Sequence, residues 1–339
     1  MESHDEFLGF YSASDSKSAS LFKVIENSLT SLGIPLHRIK GYCFDGASNM
    51  SGSIGGVQAL MKKAIPESAY VHCANHSLDL VLQDIAKEQT IVSDAMQFVK
   101  DVSTALRDSS KRQELFKSVF TKDPIKVSKL CPTRWCVRTL ALKRVLDAYE
   151  EVALAMQQLS TDKSVSGDRR SVFRGLAGKA RKASTYFGLL VCFKVFSVCE
   201  RTAKTLQHEK LTASGALKNI TILKSLIVDF RTDLEFQQLF TKTTSFQGVS
   251  MPNPKDKRNS KTPARFVYSE HSSEEPLSTE ADWKRQYFAV IDGLTAELQR
   301  RFDDSGMHVT AEREDVILNA AAGKYRPEKY VRNRAQRNM

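Results

Sequence analysis

The sequence lacks most of the features that would sort it quickly into a functional class. Its 339 residues include only two tryptophans and six cysteines. No apolar run approaches the roughly 18–20 residues of a helical membrane span. The strongest candidate, residues 186–198, is interrupted by Lys194, so no membrane partner is expected. The acidic opening Met-Glu-Ser-His-Asp-Glu has no signal-peptide pattern. There is no Gly-x-Ser-x-Gly nucleophile elbow, no phosphate-binding glycine-rich loop and no internal repeat. The six cysteines are Cys43, Cys73, Cys131, Cys136, Cys192 and Cys199, and several sit inside apolar runs. That placement suits reduced, buried thiols of an intracellular protein better than a disulfide framework.

A content of 41% hydrophobic and 26% charged residues is ordinary for a globular protein, and the length suits about two domains. The net charge of +11 is unevenly spread. Residues 131–265 hold 24 basic and 11 acidic groups, against 15 of each in residues 1–130 and 11 and 13 in residues 266–339. A local basic field is the footprint of a polyanion, most often nucleic acid; a generally basic surface is the competing reading. The densest run carries Arg169, Arg170, Arg174, Lys179, Arg181 and Lys182. These are candidates for sequence-independent contacts to a DNA backbone, with a solvated helix face as the alternative.

Period and turn chemistry predict strands at 6–11, 39–45 and 69–73, and helices at 17–32, 54–64 and 77–87. Alternation of this kind implies a parallel sheet with crossover helices. Beyond residue 90 the period is helical, with segments at 91–106, 142–159, 184–207, 211–240 and 281–302. Residues 245–280 are proline-rich and read as a disordered linker. The expected organisation is an α/β domain at 1–130, an all-α domain at 131–302 and a weakly structured tail at 303–339.

The run from Gly41 to Gly52, Gly-Tyr-Cys-Phe-Asp-Gly-Ala-Ser-Asn-Met-Ser-Gly, carries the most chemistry. A buried strand ends here on Asp45, and glycine, serine and asparagine follow. Ligands collect at the carboxyl ends of strands in α/β sheets, and an acid there often holds a metal over a phosphate. A solvated turn is the competing reading. His72, Cys73 and His76 with Cys131 and Cys136 offer a second possibility. The Cys73-x-x-His76 spacing suits half of a zinc site that Cys131 and Cys136 would complete. Buried thiols beside a hydrogen-bonded histidine are the alternative.

Three motifs stand in order: Phe44-Asp-Gly-Ala-Ser-Asn-Met-Ser-Gly52, His72-Cys-Ala-Asn-His-Ser-Leu-Asp-Leu80 and Cys131-Pro-Thr-Arg-Trp135. With Phe7-Leu-Gly-Phe-Tyr11 they resemble the hAT superfamily of DNA transposases, and more closely the transposase-derived domain of MYM-type zinc-finger proteins. The resemblance covers roughly residues 6–302. It implies an RNase H-like core interrupted by a helical insertion domain, a nuclear location, and catalysis with a divalent metal, Mg or Mn. On that likeness Asp45 matches the second acid of an Asp-Asp-Glu triad, Cys73 and His76 match a Cys/Asp-x-x-His motif, and Arg134 and Trp135 match a pair whose tryptophan stacks on a flipped base.

The sequence departs from that pattern at both ends. The first acid belongs to a strand upstream of Phe7, and the glutamate to a helix later than Glu297. The expectation is therefore a partial RNase H-like fold, a three-stranded parallel remnant in which residues 6–11 pair with 39–45. Asp45 is expected to be an ancestral, inactive metal ligand, no cofactor is expected in this chain, and function is expected to be binding of nucleic acid or protein. The alternative is a fragment of an active transposase using two-metal phosphoryl transfer.

Overall fold

The computed structural model describes residues 6–120, 138–208, 211–252, 278–303 and 305–324. Among them stand two strands, β1 (Gly41–Phe44) and β2 (Ala69–His72), one short 3-10 helix (Leu36–Arg38) and fourteen α-helices. The helices are α1 (Ser18–Ser31), α2 (Ser48–Ser51), α3 (Val57–Ala64), α4 (Ala74–Glu88), α5 (Thr90–Arg107), α6 (Ser110–Ser118) and α7 (Thr139–Asp147). They continue with α8 (Tyr149–Thr161), α9 (Gly167–Ala180), α10 (Ala183–Leu206), α11 (Ala213–Asp229), α12 (Asp233–Thr244), α13 (Thr279–Phe302) and α14 (Ser305–Ala321). The chain divides into two compact units, neither contiguous in sequence. One comprises residues 1–78, 202–222 and 299–339; the other comprises 79–201 and 223–298.

The first unit is built on a parallel pair with Gly41 opposite Ala69 and Phe44 opposite His72. Period two sends Tyr42 and Phe44 to one face, where they pack with Leu21, Phe22 and Ile25 of α1 against buried Val57, Met61 and Ile65. Cys43 points to the other face and is exposed. α1 stops where Gly33 takes φ +70, a left-handed position that glycine adopts without steric cost.

The expected third strand is absent. Residues 6–11 are irregular and pair with neither strand, which rules out the three-stranded parallel remnant. Gly9 takes φ +115, breaking the extended backbone. The segment folds on itself: the Tyr11 hydroxyl donates to the Leu8 carbonyl at 2.8 Å, and Phe7 and Phe10 meet edge to face at 5.0 Å. Phe7 and Phe10 are 74% and 95% exposed, far from the half-buried setting of a sheet strand.

The segment 305–321, read from sequence as part of a weak tail, is helix α14. Its Arg313 guanidinium donates to the carbonyls of Lys40 and Glu67, both at 2.9 Å. These carbonyls lie just ahead of β1 and β2, so one side chain ties the entries of both strands together. The next residue, Glu314, accepts from the backbone N–H of Ala213 at 2.6 Å and caps the start of α11.

The second unit is all helical in its described residues. Its core is aromatic: Phe187 stacks on Trp283 at 4.8 Å, Phe236 meets Phe187 edge to face at 6.1 Å, and Tyr287 is fully buried. The buried hydroxyl of Tyr149 donates to the Ala180 carbonyl at 2.8 Å, and that of Tyr287 to Phe230 at 2.7 Å. Both phenols are thereby satisfied, as burial requires. α10 is long and apolar enough to cross a membrane by length and composition, yet two-thirds of its most apolar window is buried in the protein. Its Lys194 pairs with Glu235 and lies 4.2 Å from the Phe230 ring centroid. That pairing explains how a cation sits in the apolar stretch from Tyr186 to Cys199 of this helix.

Candidate functional site

Asp45 follows the last residue of β1. Its Oδ1 accepts the backbone N–H of Ala47 at 3.2 Å, an Asx-type turn that starts the single turn of α2. Asn49 reaches back to donate to the Ser16 carbonyl at 2.9 Å. Two glycines make the next bend. A Cβ on Gly56 would fall 2.4 Å from the Gly52 nitrogen, and one on Gly52 would fall 2.7 Å from the Ser48 oxygen. No side chain fits at either place without moving backbone.

β2 delivers the second group. The Cys73 N–H continues the ladder to the Phe44 carbonyl at 2.9 Å, and α4 begins at once. Cys73 therefore stands at a helix N-terminus, with the N–H groups of Asn75 and His76 facing its sulfur. Its thiol is drawn below the ordinary range, first by a hydrogen bond from Cys43, then by those two N–H groups and by His76. Cys43 is pushed the opposite way, first by Cys73, then by partial loss of hydration around its sulfur and by the Asp45 charge. The His76 ring passes so close to Gly46 that a Cβ there would lie 2.5 Å from Nε2. His72 exchanges a hydrogen bond with Ser77 Oγ at 2.8 Å.

Asp45, Cys43, Cys73 and His76 thus gather at the carboxyl end of the sheet. They do not form an ion-binding set: among the described residues no group of three or more His, Cys, Asp or Glu side chains is placed to hold a metal. The described residues therefore do not by themselves supply a three-ligand set for the divalent metal implied by the resemblance. Cys43 and Cys73 depart from the expectation of buried thiols, being exposed and half-buried; Cys192 and Cys199 meet it. Cys131, Arg134, Trp135 and Cys136 lie outside the described residues.

Residues 2–56 match the family model of the ZMYM1/FAM200 RNase-like domain, DUF4371. The match is to a MYM-type, hAT-derived transposase-like domain. It spans the Asp45 turn and the glycine bend and stops short of β2, Cys73 and the helical unit. No solved structure matches the chain.

The other group of candidate residues lies in the second unit. α9 buries Phe173, Leu176 and Ala180 on one side. Arg169, Arg174, Lys179, Arg181 and Lys182 are exposed, and Arg170 is half-buried. Arg181 donates to the Gln157 side chain. Arg174 and Lys179 thus stand exposed on the outer side of a packed helix, Arg181 and Lys182 follow its end, and Arg169 lies at its start on the side of the buried residues. Sequence reading does not pick out Lys111 and Arg112 of α6, which the fold brings beside Arg169. They lie in the charge-neutral part of the chain, and no local signal marks them.

Proposed function

We propose that this transposase-derived chain works as a nucleic-acid-binding protein, and that the described residues hold the sugar–phosphate backbone rather than cleave it. The observation that carries this reading is the outer face of α9, where cations stand exposed on a helix anchored by Phe173 and Leu176. Such a face neutralises phosphates without reading bases, so affinity falls steeply with salt. In this reading the Asp45 carboxylate serves the turn that starts α2.

The test is fluorescence anisotropy with a random-sequence duplex across a salt series. Arg174→Gln combined with Lys179→Gln should weaken binding at low salt. It should also make the slope of log K against log salt shallower by about 0.9 for each phosphate no longer neutralised. An unchanged slope, or no duplex binding by the unaltered chain at low salt, would refute the proposal.

A second reading, a fragment of an active transposase, has one observation in its favour: an acid at the carboxyl end of a parallel strand within the matched segment. Incubating the chain with supercoiled plasmid and Mg or Mn separates the two. The binding proposal expects no nicking; nicking abolished by Asp45→Asn would favour the enzyme.

A further inference from the structure

In the helical unit, a hollow of about 220 Å³ opens between the starts of α6 and α9 and the end of α8. Three cations line it: Lys111, Arg112 and Arg169. Two are held in place by neighbours. Lys111 Nζ donates to Ser164 Oγ at 2.8 Å. The Arg112 guanidinium donates to the Ala105 carbonyl and lies 5.7 Å from the Phe173 ring centroid. Each keeps N–H donors beyond these bonds. Ser109 and Ser166, at the N-cap positions of α6 and α9, also line the hollow, and neither hydroxyl caps its own helix. One carboxylate, Asp162, opposes the cations. It is held ionised by the Ser164 side-chain and backbone hydrogen bonds, with smaller help from Lys111 and Arg170. Three cations against one carboxylate leave the lining positive.

We infer that this hollow is a binding site for a phosphate group. Its volume admits a tetrahedral oxyanion, two of its three cations are held by other contacts, and its cations come from two helices far apart in sequence. Arginine forks and serine hydroxyls suit phosphate oxygens better than a simple counter-ion needs. A nucleic-acid backbone and a terminal phosphate share this chemistry. The inference deepens the reading of α9 as a backbone-binding face by naming where one phosphate sits, and it rests on that reading only for the nucleic-acid source.

The test uses the full chain. Titration calorimetry with inorganic phosphate at low salt should show binding. The pair Lys111→Gln and Arg169→Gln should weaken it by about tenfold or more. Arg112 is left unchanged because its guanidinium packs on Phe173, and circular dichroism checks that the variant is folded. Arg174→Gln, on the same helix away from the hollow, should bind phosphate like the unaltered chain. Equal phosphate binding by the double variant, or none by the unaltered chain, overturns the inference whatever the duplex experiment shows. Oligothymidylate with and without a 5′-phosphate identifies the source: a preference for the phosphorylated end assigns a terminal group, and equal binding that is weakened by the double variant assigns a backbone diester.

Discussion

At the end of the sheet, side chains are positioned by backbone; along α9 they are positioned by volume. Asp45, Gly52 and Gly56 find their places through near neighbours in sequence, by an Asx turn to Ala47 and by backbone approaches too close for a Cβ. The α9 cations stand outward only because Phe173, Leu176 and Ala180 are held inward by a core assembled from distant segments. Local backbone geometry leaves a motif that one stretch of sequence can display. Volume leaves only a period, and any partner residues arrive from elsewhere in the chain.

The comparison can be broken by attacking each device. Phe187→Ala removes a fully buried ring that stacks on Trp283 and touches Phe236. It should destabilise the helical unit by about 3–5 kcal/mol, read as a lower urea midpoint. A loss below about 1 kcal/mol would mean that the core is not what holds the cationic face.

Gly56→Ala tests the backbone device. Its Cβ would meet the Gly52 nitrogen, so a cost of about 1–3 kcal/mol is expected. Gly55→Ala next door, with open space around its Cβ, should change stability by well under 1 kcal/mol. Equal effects at the two positions would refute the account of the bend.

The smallest effect is chemical. Cys73 is held as thiolate below the pH at which an ordinary thiol ionises, while Cys43 is pushed up and the fully buried Cys192 is raised by desolvation. Iodoacetamide at mildly acidic pH should therefore label Cys73 ahead of Cys43 and Cys192, with peptide mapping as the readout. Labelling of Cys73 should fall only as the pH drops through its depressed pKa. His76→Ala should shift that profile upward. Preferential labelling of Cys43 would contradict the geometry at the strand end.

Much of the first unit is legible in the sequence because its signals are local. Gly33 and Pro35 mark the end of α1, and the run Tyr42–Phe44 ending on an acid marks β1. The unpaired state of residues 6–11 is not legible from apolar composition, because it turns on the backbone angle of Gly9. In the helical unit the stripe from Leu142 to Leu159 predicts one helix, but Ala148 leaves the helical region and two helices form. The span 211–240 likewise divides before α12. There the signal is present: Thr232-Asp-Leu-Glu235 is a capping sequence, and the Thr232 hydroxyl accepts the Glu235 N–H at 3.3 Å. The hollow beside α9 cannot be read from sequence at all, since Lys111 and Arg169 become neighbours only when α6 and α9 pack around α8.

The Arg313 tie has a consequence for the order of events during synthesis. Its two acceptors lie 273 and 246 residues earlier in the chain. Two four-residue strands have little to hold them on their own, and contacts of such high sequence separation form late. The ribosome must add the 246 residues from Glu67 to Arg313 before both strand entries can be fastened. Through that interval the exposed Phe7 and Phe10 and the open edges of β1 and β2 are in reach of chaperones.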